Sequence, residues 1–111
     1  MRLAAYFILI SAVFHVAICV LSGFSSDAQF LLVPAAIYVL LALALLWSVW
    51  GSRWISLVVM LGGAAAAIGS FAAPPVEPSW MFGLIFATDI IAAIFLFGAI
   101  WVGHRPTVRA A

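Results

Sequence analysis

The sequence WMFGLIFATDIIAAIFLFGAIWV, residues 80–102, is apolar almost throughout and carries Asp89 near its centre. A helix needs about 20 such residues to cross a hydrocarbon core about 30 Å thick, so the stretch predicts a transmembrane helix. Its twelve Leu, Ile, Phe and Val residues outweigh the insertion cost of one carboxyl group. The helix is therefore expected to insert with Asp89 facing another helix rather than lipid.

Composition extends this conclusion to the whole chain. The protein has 111 residues, of which 69% are hydrophobic and 6% charged, and its mean hydropathy is +1.39. A soluble domain is about half apolar and a quarter charged, so lipid is the expected outer solvent. Four arginines and no lysine give no basic footprint for nucleic acid. The single cysteine, Cys19, excludes an internal disulfide and a cysteine metal site.

Four apolar segments follow one another at membrane-spanning length, at approximately residues 3–22, 30–50, 54–73 and 80–102. The polar connections between them are too short to hold another domain. Helices satisfy their own backbone hydrogen bonds in lipid, so each segment is expected to be helical. The predicted fold is an all-α, polytopic membrane protein: one four-helix transmembrane domain over residues 1–111, in two antiparallel hairpins.

Charge predicts the orientation of these hairpins. All basic residues fall at the same ends of the predicted spans, namely Arg2, Arg53, Arg105 and Arg109, whereas the first and third connections carry only Asp27 and Glu77. The positive-inside rule then places both termini in the cytoplasm. The Lys-free, Ala-rich composition is compatible with a bacterial cytoplasmic (inner) membrane. A secretory signal is an alternative for the N-terminus, but the apolar run there exceeds the usual length of about 7–15 residues.

The helix ends carry ordinary signals. Ser26 followed by Gln29 predicts a capping box before the second span. Ser52 is the expected N-cap of the third span. Pro34 is expected to bend or delay the second span near its outer end.

Three spans place a polar side chain at similar depth. At about 1.5 Å per residue, His15 lies about 18 Å and Asp89 about 20 Å from the inner helix ends, and Tyr38 lies about 12 Å from the outer end. His15 is the predicted partner of Asp89. It shares one helical face with Ser11, Cys19 and Ser22, because the spacings are four, four and three residues.

The third span has small residues instead of polar ones. Its sequence GGAAAAIGS, residues 62–70, repeats small side chains at four-residue spacing, a pattern typical of close helix packing in membranes. The residues predicted to pack are Gly62, Ala66, Gly69 and Ser70.

Three interpretations are open for Asp89 and the polar residues predicted at its depth. They form a packing seam in which Cys19 acts as a small hydrophobe, or His15 and Asp89 form a protonatable pair, since histidine titrates near neutral pH. Alternatively, His15 ligates the metal of a haem or chlorin. One histidine supplies one axial ligand, so a haem with two histidine ligands would need a second chain.

These interpretations lead to three functions, none of them enzymatic, because no catalytic or metal-ligating constellation is present in the sequence. The first is an accessory or assembly subunit that packs against a larger membrane complex. The second is a small homo-oligomeric proton-coupled transporter using Asp89 and His15, and the third a haem- or chlorin-binding membrane protein. Size and span count resemble the small multidrug-resistance transporters, but those carry a glutamate in the first span, where this chain has His15. No function is carried over from that family.

Overall fold

The computed structural model describes residues 2–76 and 79–104, excluding the side chains of 103 and 104. Every regular element in this part of the chain is an α-helix: α1 (Arg2–Leu21), α2 (Ser26–Gln29), α3 (Leu32–Leu46), α4 (Ser52–Ala72) and α5 (Trp80–His104). Four segments are long and apolar enough to span a membrane, at Arg2–Leu21, Ser26–Leu46, Ser52–Ala72 and Trp80–Val102. The all-helical, multi-pass prediction is confirmed at this level. Glu77, Arg105 and Arg109 lie outside the described residues.

The second span begins and ends about one turn earlier than its hydropathy predicts. Its helix stops at Leu46 because Ser48 adopts a left-handed conformation with φ 54°. The Ser48 amide donates to the Leu45 carbonyl and the Val49 amide to the Ala44 carbonyl, at 3.1 and 2.9 Å. This is the Schellman pattern, which normally uses glycine. α1 ends in the same way at Gly23, where glycine gives the expected signal.

The predicted N-caps are wrong in two places. α2 follows Ser25 and has no side-chain cap, while the side-chain amide of Gln29 donates to the Phe24 carbonyl at 2.8 Å. The residue before α4 is Gly51, at φ 78°. Ser52 is therefore already helical, and its hydroxyl donates to the Val49 carbonyl at 2.6 Å.

Pro34 lies in the first turn of α3, after the interruption between α2 and α3. A first-turn amide has no intrahelical partner, so a proline costs little at this position. Near Pro34, where the sequence predicted a bend or delay, the structure has an interruption between a short helix and α3, although the span as a whole starts earlier than predicted.

The four long helices pack as a ring with one weak side. α1 packs extensively against α3 and α5, and α4 packs against α5, whereas α3 and α4 make few contacts. Two apolar clusters fill the interior. One is rich in alanine and includes Ala5, Ala42 and Ala92, and the other uses larger side chains such as Ile18, Met81 and Phe82.

Candidate functional site

Asp89 lies in α5 between the residues of the two apolar clusters and is fully buried, with 0% of its surface exposed. Both carboxyl oxygens are hydrogen-bonded. Oδ1 accepts from the Ser11 hydroxyl of α1 and Oδ2 from the Tyr38 hydroxyl of α3, each at 2.7 Å. Since buried polar groups are expensive without partners, these two bonds explain how a carboxyl group is accommodated here. They also tie three helices together.

His15 joins this group through Ser11 instead of contacting Asp89 by a hydrogen bond. Its Nδ1 atom lies 2.7 Å from the Ser11 carbonyl oxygen, one turn earlier in α1. A carbonyl oxygen only accepts, so Nδ1 carries a proton and the neutral ring has its lone pair on Nε2. The imidazole also meets the Tyr38 ring edge to face, with centroids 5.0 Å apart at 70°. The predicted pairing of His15 with Asp89 is thus replaced by an indirect connection.

The fourth helix contributes Gly63, which the sequence analysis did not single out. A Cβ atom at this position would overlap the Tyr38 hydroxyl and lie 2.6 Å from Asp89 Oδ2. Real Cβ atoms essentially never approach another heavy atom this closely, so a larger residue here would force the hydrogen-bonded Tyr38 and Asp89 side chains to shift. All four spans therefore meet at the carboxyl group. We call Ser11, His15, Tyr38, Gly63 and Asp89 the polar layer.

The small residues predicted to pack from α4 lie mostly on its outer face. Gly62, Ala66 and Gly69 are exposed and Ser70 is half-buried. A Cβ atom at Gly62 or Gly69 would meet nothing within 4 Å. Within this chain the close approach is made instead by the face that carries Gly63, Ala64 and Ala67. A contact of the outer face with another chain stays a prediction.

Two other polar residues, Ser22 and Thr88, donate hydrogen bonds to backbone carbonyls. The Ser22 hydroxyl donates to the Cys19 carbonyl at 2.9 Å, and Cys19 is a buried free thiol. Thr88, next to Asp89, donates to carbonyls of its own helix, those of Leu84 and Ile85. Neither Ser22 nor Thr88 is hydrogen-bonded to the polar layer.

Ser56 is a second feature that sequence reasoning missed. It lies on the inner face of α4 and is fully buried, and within the described residues its hydroxyl oxygen has no hydrogen-bond partner. The only available signal was the spacing of Ser52, Ser56 and Met60, which repeats every four residues and puts them on one face.

The layer holds its carboxyl group without a charged partner. Among the described residues Asp89 forms no ion pair, and no three His, Cys, Asp or Glu side chains cluster to hold a metal ion. His15 has 6% of its surface exposed, so a haem or chlorin would have to displace neighbouring side chains such as Tyr38 to reach Nε2. Haem or chlorin ligation stays a prediction, and the close packing around the His15 imidazole does not favour it.

Comparison of the chain with models of protein families, with curated proteins and with solved structures finds no significant match.

Proposed function

We propose that this chain is a non-enzymatic accessory or assembly subunit that packs against a larger membrane protein. The observation that carries the proposal is the exposed face of α4, where Gly62, Ala65, Ala66 and Gly69 lie outside the bundle. Small residues let helix backbones approach closely and are typical of helix contacts in membranes. Since the bundle uses another face of α4 for its own contacts, this face suits a transmembrane helix of a partner.

In the proposed arrangement the spans form two antiparallel hairpins in the bacterial cytoplasmic membrane, with both termini in the cytoplasm. Arg2 and Arg53 lie in the first turns of α1 and α4, which supports this orientation. Trp47 and Trp50, between α3 and α4, are 75% and 96% exposed. Amphipathic rings favour the headgroup level, so this connection is assigned to the membrane surface.

The polar layer acts in this proposal as a latch inside the subunit. Ser11 and Tyr38 bind different oxygens of Asp89, so a rotation of α1 or α3 would break a buried hydrogen bond. Gly63 brings α4 against the same group. The latch therefore keeps the outer surface in one arrangement for the partner. The hydrogen bonds of the polar layer are made inside the bundle, so the layer itself does not bind the partner.

The experiment is native mass spectrometry of the chromosomally tagged protein after gentle detergent extraction. We expect the wild type to travel in fixed ratio with larger membrane subunits and the double variant Gly62→Leu, Gly69→Leu to lose them. Gly98→Leu is the matched control, because a Cβ atom at Gly98 on α5 also meets nothing within 4 Å. A wild type found alone, or a double variant that keeps its partner, would refute the accessory role.

A homo-oligomeric proton-coupled transporter is a second candidate, favoured by one observation. Asp89 is held by two hydroxyl groups and has no ion-pair partner in the described part of the chain. A carboxyl group without a fixed cation is free to take up and release a proton, and intramembrane acids commonly mark proton relays. His15 would be the second protonatable group of the relay.

Asp89→Asn separates the two candidates in proteoliposomes that carry an imposed pH gradient and an internal pH dye. A transporter predicts a folded variant whose proton flux is lost. A latch predicts that the wild type and the variant give the same flux as empty liposomes, and that partner binding persists in the variant.

A further inference from the structure

Two shallow grooves run along the lipid-facing side of α5, and Phe95 borders both of them. The first, of about 530 Å³, lies between α4 and α5 and is lined by Arg53, Ile94, Phe95, Gly98, Ala99 and Val102. The second, of about 480 Å³, lies between α1 and α5 and is lined by Arg2, Leu3, Ala4 and Phe95. Each groove thus combines one arginine with an otherwise apolar lining.

Neither arginine has a counter-ion in the described part of the chain. Arg2 and Arg53 are exposed, and no ion pair or hydrogen bond involves either side chain there. The two described acidic residues are Asp27 and Asp89. Asp89 is hydrogen-bonded within the polar layer. Asp27 lies in α2, which connects α1 and α3 at the end of the bundle opposite to Arg2 and Arg53. Within the described residues this side therefore carries unpaired positive charge, which an anionic group would complement.

The apolar lining fits an acyl chain. The first groove follows α5 from Val102 to Ile94, which is about 12 Å along the helix axis at 1.5 Å per residue. Gly98 forms a notch in its floor, since nothing lies within 4 Å of a Cβ atom built there. Phe95, which lines both grooves, stacks on Phe7, with ring centroids 5.9 Å apart.

We propose that this side of α5 binds an anionic phospholipid. Arg53 binds the headgroup phosphate, one acyl chain lies in the groove over Gly98, and the second passes Phe95 into the groove beside Arg2. Guanidinium groups match phosphate geometry with two parallel hydrogen bonds. Arg2 adds positive potential at the other flank. This inference is independent of the accessory role, because it concerns the isolated chain and a different helix face.

The test uses native mass spectrometry of the purified full chain in detergent, with equal amounts of phosphatidylglycerol and phosphatidylcholine carrying the same dioleoyl chains. We expect the wild type to retain phosphatidylglycerol preferentially. Arg53→Gln should lower that preference about fivefold, since one basic residue near an anionic surface contributes about that much. Arg109→Gln removes the same single charge at another position of the chain, and a phosphate site made by Arg53 requires that this variant leave the preference within about twofold.

Gly98→Leu tests the acyl-chain seat separately from the charge. It should reduce the adducts of both lipids, whereas Gly69→Leu, an equally open glycine on α4, should not. Equal retention of the two lipids by the wild type would overturn the proposal. So would equal losses in Arg53→Gln and Arg109→Gln, which indicate diffuse attraction, or unchanged lipid adducts in Gly98→Leu, which indicate that no acyl chain lies over Gly98.

Discussion

Gly62 and Gly63 are neighbours in the sequence but occupy opposite structural situations. A Cβ atom at Gly63 would collide with the Tyr38 hydroxyl and the Asp89 carboxyl, whereas a Cβ atom at Gly62 would meet nothing within 4 Å. The inner face of α4 therefore packs against the polar layer, and its outer face makes no contact with the other helices at Gly62. A run of small residues can therefore make one contact within the chain and leave a second face available to another helix.

The largest effect is expected from Gly63→Ala, which disrupts the packing of the inner face of α4 against the polar layer. The added methyl group must push apart the hydrogen-bonded Tyr38 and Asp89, so we expect the free energy of unfolding to fall by about 3 kcal/mol. Titration of the purified protein with SDS, followed by circular dichroism, measures this change. Gly62→Ala is the control and should be neutral or more stable by up to about 1 kcal/mol, since alanine favours helix. Equal unfolding midpoints for the two variants would contradict the inner-outer distinction.

Asp89→Ala should produce the next largest effect. It leaves the Ser11 and Tyr38 hydroxyls buried without their acceptor, so we expect a loss of about 2 kcal/mol in the same SDS titration. Asp89→Asn keeps one carbonyl oxygen, and hydroxyl groups can also accept from its amide, so its loss should stay below about 1 kcal/mol. If Asn were as damaging as Ala, the charge and not the hydrogen bonds would stabilise the layer.

Tyr38→Phe removes one hydrogen-bond donor of the polar layer and leaves the aromatic ring in place. We expect a loss of about 1 kcal/mol, because hydrogen bonds between transmembrane helices are individually modest. The contact of the His15 imidazole with the aromatic ring should survive. A double-mutant cycle with Asp89→Ala, which removes the acceptor, measures the coupling, and purely additive losses would show that Tyr38 and Asp89 do not stabilise each other.

The smallest effect is expected at Ser56, the inner-face polar group that does not join the layer. Removing its unpartnered hydroxyl in Ser56→Ala should raise the free energy of unfolding by about 0.5 kcal/mol. Ser52→Ala is the matched control on the same helix face. It should have the opposite sign, because the Ser52 hydroxyl donates to Val49. A destabilised Ser56→Ala would mean that this hydroxyl has a partner in the membrane.

Much of the fold was predictable because the bilayer imposes it. Apolar segments of spanning length must be helical in lipid, so hydropathy located all four spans to within a few residues. The error was largest for the second span, where predicted residues 30–50 became Ser26–Leu46. Ser48 turns the backbone there in a conformation that glycine usually signals, and apolar residues continue beyond it, so composition gives no warning.

Helical rise converts residue number into height, so the sequence alone predicts that Asp89, Tyr38 and His15 lie at similar depth. Which of these side chains touch depends on tertiary packing. Partner choice depends on how each helix is rotated about its axis and on which neighbours it meets, and an apolar surface facing lipid on one side and protein on the other leaves little periodic signal. Ser11 and Tyr38 therefore took the carboxyl group instead of His15, and Gly63 instead of Gly62 came to lie against it.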